Sequence, residues 1–238
     1  MSSLSVREAR AQLKFSRLAH FTPARNIWHI AEDGAIRSSK DLADNAPEYF
    51  DPTDRERFDR HPEMVCCSFE YPNGYYLAQA RNKPEYANYR DWICLLLDPA
   101  LVERPGALFC GWNAARGSGA YLLEGGAALL DCFANPSKPG GYSRGSRHHP
   151  GAASDLQAEV LVPGPIELPR IQAVVVPNTE TALNLYGVLH RQNLGPHRFR
   201  WAVAPVFFTR DRLSQRIRFG GTIEETEWTP PADLEVPS

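Results

Sequence analysis

The alternation of apolar and polar positions along the chain outlines a set of short elements. Short apolar runs read as strands at 18–22, 64–69, 92–97, 107–110, 157–162 and 171–176, with one or two more at 199–203 and 206–208. Elsewhere the period changes to that of a helix. Residues 5–14 predict a short charged helix. Pro23 can open a second one, whose apolar face holds Ile27, Ile30 and Ala31 and which Gly34 is placed to end. Further helices are expected at 77–86, at 127–133 and at 179–190, where Thr179 would cap a face made by Ala182, Leu183 and Tyr186.

The stretches between these elements are long. Residues 37–63 are polar and rich in Asp, Arg, Asn and Pro, and read as an irregular segment. Residues 71–76 form a turn dense in aromatics. Residues 134–154 are glycine- and proline-rich and carry Lys138, Arg144, Arg147, His148 and His149 but no acid. Beyond Gly220 the chain is acidic and proline-bearing, the composition of a loose tail. Strands outnumber helices, and long loops rather than regular crossover helices join them. The expected fold class is therefore α+β, with mixed or antiparallel sheets and peripheral helices, not a doubly wound parallel sheet. One domain over 1–238 is expected, with a core at about 15–176 and a helix/strand extension and tail at 177–238.

Composition narrows the possibilities. Apolar residues make up 43%, enough for a packed core, and 26 basic against 28 acidic residues leave a net charge of −2. No global basic field points to nucleic acid, although the 134–154 loop is a local exception. No apolar run approaches a membrane span, and residues 1–15 are charged without a signal-peptide core, so no membrane association and a cytoplasmic location are expected. Cys66, Cys67, Cys94, Cys110 and Cys132 are odd in number and form no CxxC pair; buried free thiols are the expectation. Adjacent His148 and His149 lack the helical spacing of metal ligands, and no metal is expected. The chain has no GxGxxG after a strand and no GxxxxGK[ST]. Ser118 between two glycines is not a nucleophile elbow.

One carboxylate stands out. A strand over 157–162 would turn Gln157, Glu159 and Leu161 to one side and Ala158, Val160 and Val162 to the other. A carboxylate among aliphatics is costly to bury unpaired, so Glu159 sits either at a wet edge or in a cleft that uses its charge. These residues alone do not decide between the two. Taken singly, His20 also suits a structural histidine, Arg57 a surface ion pair, and Tyr71 and Tyr75 ordinary core-edge aromatics.

Taken in order, the same residues form a recognisable set. His20-Phe21-Thr22 is followed by Asn26, an apolar pair and Gly34. Asp54-x-x-Arg57-Phe58-Asp59 comes next, then Ser68-Phe69-x-Tyr71-Pro72-Asn73, then Asn113-Ala114-Ala115, and last Gln157-Ala158-Glu159-Val160-Leu161-Val162. The order and spacing over about 15–176 resemble the ADP-ribosyltransferases, in particular the DarT family of toxins that ADP-ribosylate DNA bases. A Leu at 156 stands where some relatives carry Lys.

The resemblance implies a central NAD cleft, with NAD as substrate, and transfer of ADP-ribose to a nucleobase of single-stranded DNA. It implies that Glu159 stabilises the cation developing at the ribose C1′ and that Arg57 holds the diphosphate or orients the acceptor, both as catalytic residues. His20, Phe21, Thr22, Asn26, Gly34 and Tyr71 would bind NAD. Gln157, Asn73, Lys138, Arg144 and Arg147 would bind the acceptor strand. A role as the toxin of a toxin–antitoxin or phage-defence pair, with a macrodomain antitoxin as partner, is also implied. An RNA acceptor, or a catalytically idle nucleic-acid-binding module of the same fold, are the alternatives.

Overall fold

The computed structural model describes residues 4–46, 59–83 and 91–234. Within these, the strands are β1 (Leu18–Pro23), β2 (Ala35–Ile36), β3 (Met64–Phe69), β4 (Trp92–Leu97), β5 (Leu108–Cys110), β6 (Glu159–Pro163), β7 (Ile166–Glu167), β8 (Ile171–Val176), β9 (Trp201–Val203) and β10 (Thr226–Trp228). The helices are α1 (Val6–Ala11), α2 (Asn26–Asp33), α3 (Ser39–Asn45), α4 (Gly74–Arg81), α5 (Gly125–Asp131), α6 (Thr179–Arg191) and α7 (Arg210–Phe219).

Eight strands form one mixed sheet in the order β10-β9-β8-β4-β1-β3-β6-β5; β2 and β7 make a separate two-stranded ribbon. Among the described residues only β8 and β9 pair in parallel. The α+β class with a mixed, mainly antiparallel sheet is thus the observed one. β4 lies near the middle with all six residues buried, as its unbroken apolar run requires. Its alternate residues feed two cores. Ile93, Leu95 and Leu97 join Ile27 of α2, Leu129 of α5 and Leu189 of α6, while Trp92, Cys94 and Leu96 join Leu77 of α4 and Leu213 and Ile217 of α7. Helices therefore cover both faces of the sheet.

The pairing between β1 and β3 is brief. Leu18 opposes Phe69 and Ala19 opposes Ser68, and no further pair is made. β1 stays in register with β4 along its whole length, while β3 follows β6 from Met64 opposite Pro163 to Cys67 opposite Val160. The sheet therefore splits between β1 and β3, and a wedge opens there.

Several elements differ from the sequence expectation, each for a local reason. Pro23 ends β1 instead of opening a helix, and α2 begins at Asn26; Gly34, at φ +73°, ends α2 as expected. The 37–63 stretch contains α3, because the Ser38 hydroxyl accepts the Asp41 N–H at 3.2 Å and Arg37–Asp41 and Lys40–Asp44 pair at i, i+4. α4 starts at Gly74 because the Asn73 side chain accepts the Tyr76 N–H at 3.0 Å. Asn178, not Thr179, caps α6, accepting the Thr181 N–H at 2.8 Å. Gln157 is not in a strand. Asp155 accepts its N–H at 2.9 Å in a side-chain turn, and β6 begins only at Glu159, so the two do not share a pleat face.

Residues 205–208 form a single tight helical turn, and α7, which no pattern predicted, follows it. The tail is not loose up to residue 228. There β10 pairs with β9, Trp228 packs on Tyr186 and Trp201, and Glu225 is bound at 2.7 Å by Arg17. All five cysteines are free. Among the described residues no helix is long and apolar enough to cross a membrane.

Candidate active site

The wedge between β1 and β3 holds a cavity of about 410 Å³, within the size range of small-molecule sites. His20, Phe21 and Thr22 from β1, Met64 to Ser68 from β3, Asn26 from α2, Asn73 at the cap of α4, and Glu159 at the start of β6 all line it. Neighbours far apart in sequence thus converge because two half-sheets part at Ala19 and Ser68.

Local bonds fix several of these side chains. His20 Nδ1 lies 2.7 Å from the Cys66 carbonyl. A carbonyl only accepts, so Nδ1 carries a proton and donates it. The same bond ties β1 to β3 across the wedge. Asn26 Nδ2 donates to Thr22 Oγ1 at 2.8 Å, joining the first turn of α2 to the buried end of β1. Glu159 is half-buried, and its Oε2 accepts the Ala114 N–H at 3.3 Å. The Asn113 side chain accepts the Ala115 N–H at 2.8 Å, which shapes the turn that presents this donor.

The same turn is locked to the wall of the cavity. Gly119 lies at φ +83°, and a Cβ there would sit 2.3 Å from the Asp59 carbonyl oxygen, so only glycine fits. Asp59 lines the cavity; its carboxylate accepts the His61 N–H at 2.9 Å and faces the Cys66 thiol at 3.4 Å. Burial, with the nearby charge of Glu159, holds the Cys67 thiol well above the usual range. Burial pushes Cys110 up to about 11, with Glu159 again contributing. These thiols stay protonated near neutral pH and are poor nucleophiles.

The expected site residues divide. Glu159, His20, Phe21, Thr22, Asn26 and Asn73 meet at the cavity. Arg57, with Asp54 and Phe58, lies outside the described residues. Gly34 ends α2 beside the cavity without lining it. Tyr71 faces away, between Phe207 and His149 and under the Arg17 guanidinium. Gln157 sits in the turn before β6. Lys138 pairs with Asp155 at 3.2 Å and lies over the Trp112 ring. Arg144 is turned inward and clamps its own loop, donating to the carbonyls of Phe133, His149 and Pro150. Arg147 is exposed.

Cavity residues that the sequence did not single out include His29, Ser38, Tyr76 and Gln79. Ser38-x-x-Asp41 is a helix-start signal and could have revealed α3. The others carry no local mark. Among the described residues no group of three His, Cys, Asp or Glu side chains is placed to hold a metal.

Comparison with known proteins supplies the family. The model described as "DarT: ssDNA thymidine ADP-ribosyltransferase, DarT" matches residues 19–208. No curated protein matches the chain. Among solved structures, Thermus sp. 2.9 DarT in complex with ADP-ribosylated ssDNA superposes with TM-score 0.57 at 13% identity, covering 87% of this chain and 100% of that one. Thermus sp. 2.9 DarT in complex with NAD+ gives 0.56 at 13%, covering 82% and 98%. Thermosipho africanus DarTG in complex with ADP-ribose gives 0.54 at 17%, covering 82% and 51%, so this chain spans about half the length of that one. These likenesses show a shared fold. The family match runs from the His20 strand through Glu159 to the residue before the turn into α7, and the chain belongs to the DarT family of single-stranded-DNA thymidine ADP-ribosyltransferases.

Proposed function

We propose that the wedge between β1 and β3 binds NAD and that Glu159 drives transfer of its ADP-ribose to a thymidine base in single-stranded DNA. One observation carries this reading. The carboxylate of the late strand β6 meets His20 and Thr22 of the first strand in one cavity, inside a fold and a family that perform this chemistry.

Breaking the N-glycosidic bond of NAD leaves positive charge on the ribose C1′. A fixed carboxylate beside that ribose stabilises the charge, and the Ala114 N–H holds the Glu159 carboxylate in place for it. The same carboxylate can take up the proton that the base nitrogen loses as it forms the new bond to C1′. His20 and Thr22 face the dinucleotide, fixed by Cys66 and Asn26 respectively, which pre-arranges the donor for attack. Phe21 supplies an apolar wall. Arg57 is assigned the diphosphate or the acceptor. Asn73, whose side chain is already engaged in capping α4, contributes by shaping the rim. Gln157, Lys138 and Arg147 are assigned to the acceptor strand on the β6 side. The base must be presented unstacked, which a single strand allows.

The protein is further assigned the role of the toxin in a pair whose antitoxin is a macrodomain protein. The DarTG likeness supports such a pairing. The decisive experiment is mass spectrometry of thymidine-containing and thymidine-free oligonucleotides after incubation with NAD. The thymidine oligonucleotide should gain one ADP-ribose, and Glu159→Gln should lower the rate by roughly 10²–10³-fold while the protein stays folded. Transfer that survives Glu159→Gln would remove the carboxylate from the mechanism.

A further inference from the structure

The family match ends at Phe208, and α7 begins at Arg210. This helix is the most basic element of a nearly neutral chain: Arg210, Arg212, Arg216 and Arg218 stand against Asp211 alone. Leu213 and Ile217 anchor it to the core beside α4. Arg212, Arg216 and Phe219, at i, i+4 and i+7, share a face turned away from that core. Phe219 is 51% exposed, an unusual setting for a large aromatic side chain.

The arginines are not equivalent. Arg210 is held by Asp211 at 2.7 Å, Arg216 donates to the Thr222 carbonyl, and Arg218 lies over the Tyr142 ring at 4.1 Å. Among the described residues Arg212 has no acidic partner, and neither has Arg147, which lies against Gly220 just beyond the helix. The basic loop is bonded to the same end of α7, since the His149 N–H donates to the Ile217 carbonyl at 2.8 Å. Two unneutralised arginines and an exposed ring therefore lie along one helix, Arg212 in its first turn, Phe219 at its last residue and Arg147 just beyond that end.

The helix that carries this face is packed beside the active site. On its inward side Leu213, Ser214 and Ile217 line a crevice with Asp155, Leu156 and Ala158, the turn that leads directly into Glu159.

We propose that Arg147, Arg212 and Phe219 form a second contact surface for single-stranded DNA, which holds the strand flanking the target thymidine. The guanidinium groups meet phosphates and the Phe219 ring stacks on a flanking base, the combination that single strands favour irrespective of sequence. The inference rests on the reading of the cavity as a DNA ADP-ribosylation site, and it adds a length requirement that the cavity alone does not impose.

The test measures initial transfer rates onto oligonucleotides with one central thymidine, graded from about 4 to about 20 nucleotides. Wild-type protein is expected to favour long substrates over short ones. Combining Arg147→Ala, Arg212→Ala and Phe219→Ala should lower that long-to-short ratio by about tenfold. Phe219→Tyr alone, which keeps an aromatic ring at this position, should keep the ratio. Circular dichroism checks the fold of each variant; all three residues are at the surface. A ratio unchanged in the triple variant, or a wild-type rate independent of length, overturns the second surface and leaves the cavity reading intact. Absence of transfer to every oligonucleotide by the wild type overturns the cavity reading and the inference with it.

Discussion

His148 shows how one side chain reports on the packing of a whole loop. It is only 6% exposed, its Nε2 meets the Ala153 carbonyl at 3.1 Å, and Nδ1 has no partner. Burial first, and then the Arg144 and Arg218 charges, push its pKa down to about 4. The folded state thus prefers the neutral ring. The stability this contributes is complete above the unfolded pKa of about 6.5 and is lost as pH falls through about 4. The full effect is up to about 3 kcal/mol. Thermal melting between pH 7 and pH 4 should show a fall that His148→Gln reduces; equal slopes in the two proteins would mean that the histidine is not held neutral. From sequence, His148 and Arg144 read as residues of a basic solvated loop. Nothing in their order signals that Arg144 turns inward, because its three carbonyl partners are set by how the loop folds back on itself. Glu159 was easier to find, since a carboxylate in an aliphatic run conflicts with ordinary burial and so marks itself.

Elements built on long apolar runs were legible; those set by single bonds were not. β1, β3, β4 and β8 coincide closely with their apolar runs. α3 and the early start of α4 depend on Ser38 and Asn73 as caps, and β10 depends on tertiary contacts alone. Thr226, Glu227 and Trp228 have no strand pattern, yet they pair with β9 because Trp228 fits between Tyr186 and Trp201. The acidic composition around them suggested a tail, but Glu225 is neutralised by Arg17. Trp228→Ala should therefore destabilise the protein by about 2–3 kcal/mol in urea unfolding, somewhat below the usual range for a fully buried aromatic because the ring is only half-buried. A change under about 0.5 kcal/mol, typical of a surface position, would show that β10 is not an integral strand.

Taken as a unit, the protein has almost no net charge, and that obscures the local basic stretches that a nucleic-acid strand would meet. Charge is distributed by position: residues 134–154 carry no acid and α7 carries Asp211 alone, while the other acids lie elsewhere. Binding should follow the local field. With Arg147 and Arg212 each meeting one phosphate, the logarithm of single-strand affinity should fall against the logarithm of salt with a slope of about −1.4. Fluorescence anisotropy over a salt series measures it, and a flat response would rule out a phosphate-tracking face. The fold class was legible because strand and helix counts constrain it. The parting of the sheet was not, since it depends on where β1 stops matching β3, and no run of residues encodes that alone.

That parting has a mechanical consequence. His20 and Thr22 belong to the plate built on β4 and β8, and Glu159 belongs to the plate built on β3 and β5. Among the described residues, two rungs, the His20–Cys66 bond and the bond from the Ser68 hydroxyl to the Ala19 carbonyl fasten the two strands that face each other across the split. A dinucleotide gripped by both plates would act as a cross-brace, so the substrate becomes part of the architecture for as long as it stays bound. Cleaving it would cut the brace, and the chemical step and the loosening of the jaws would then be the same event.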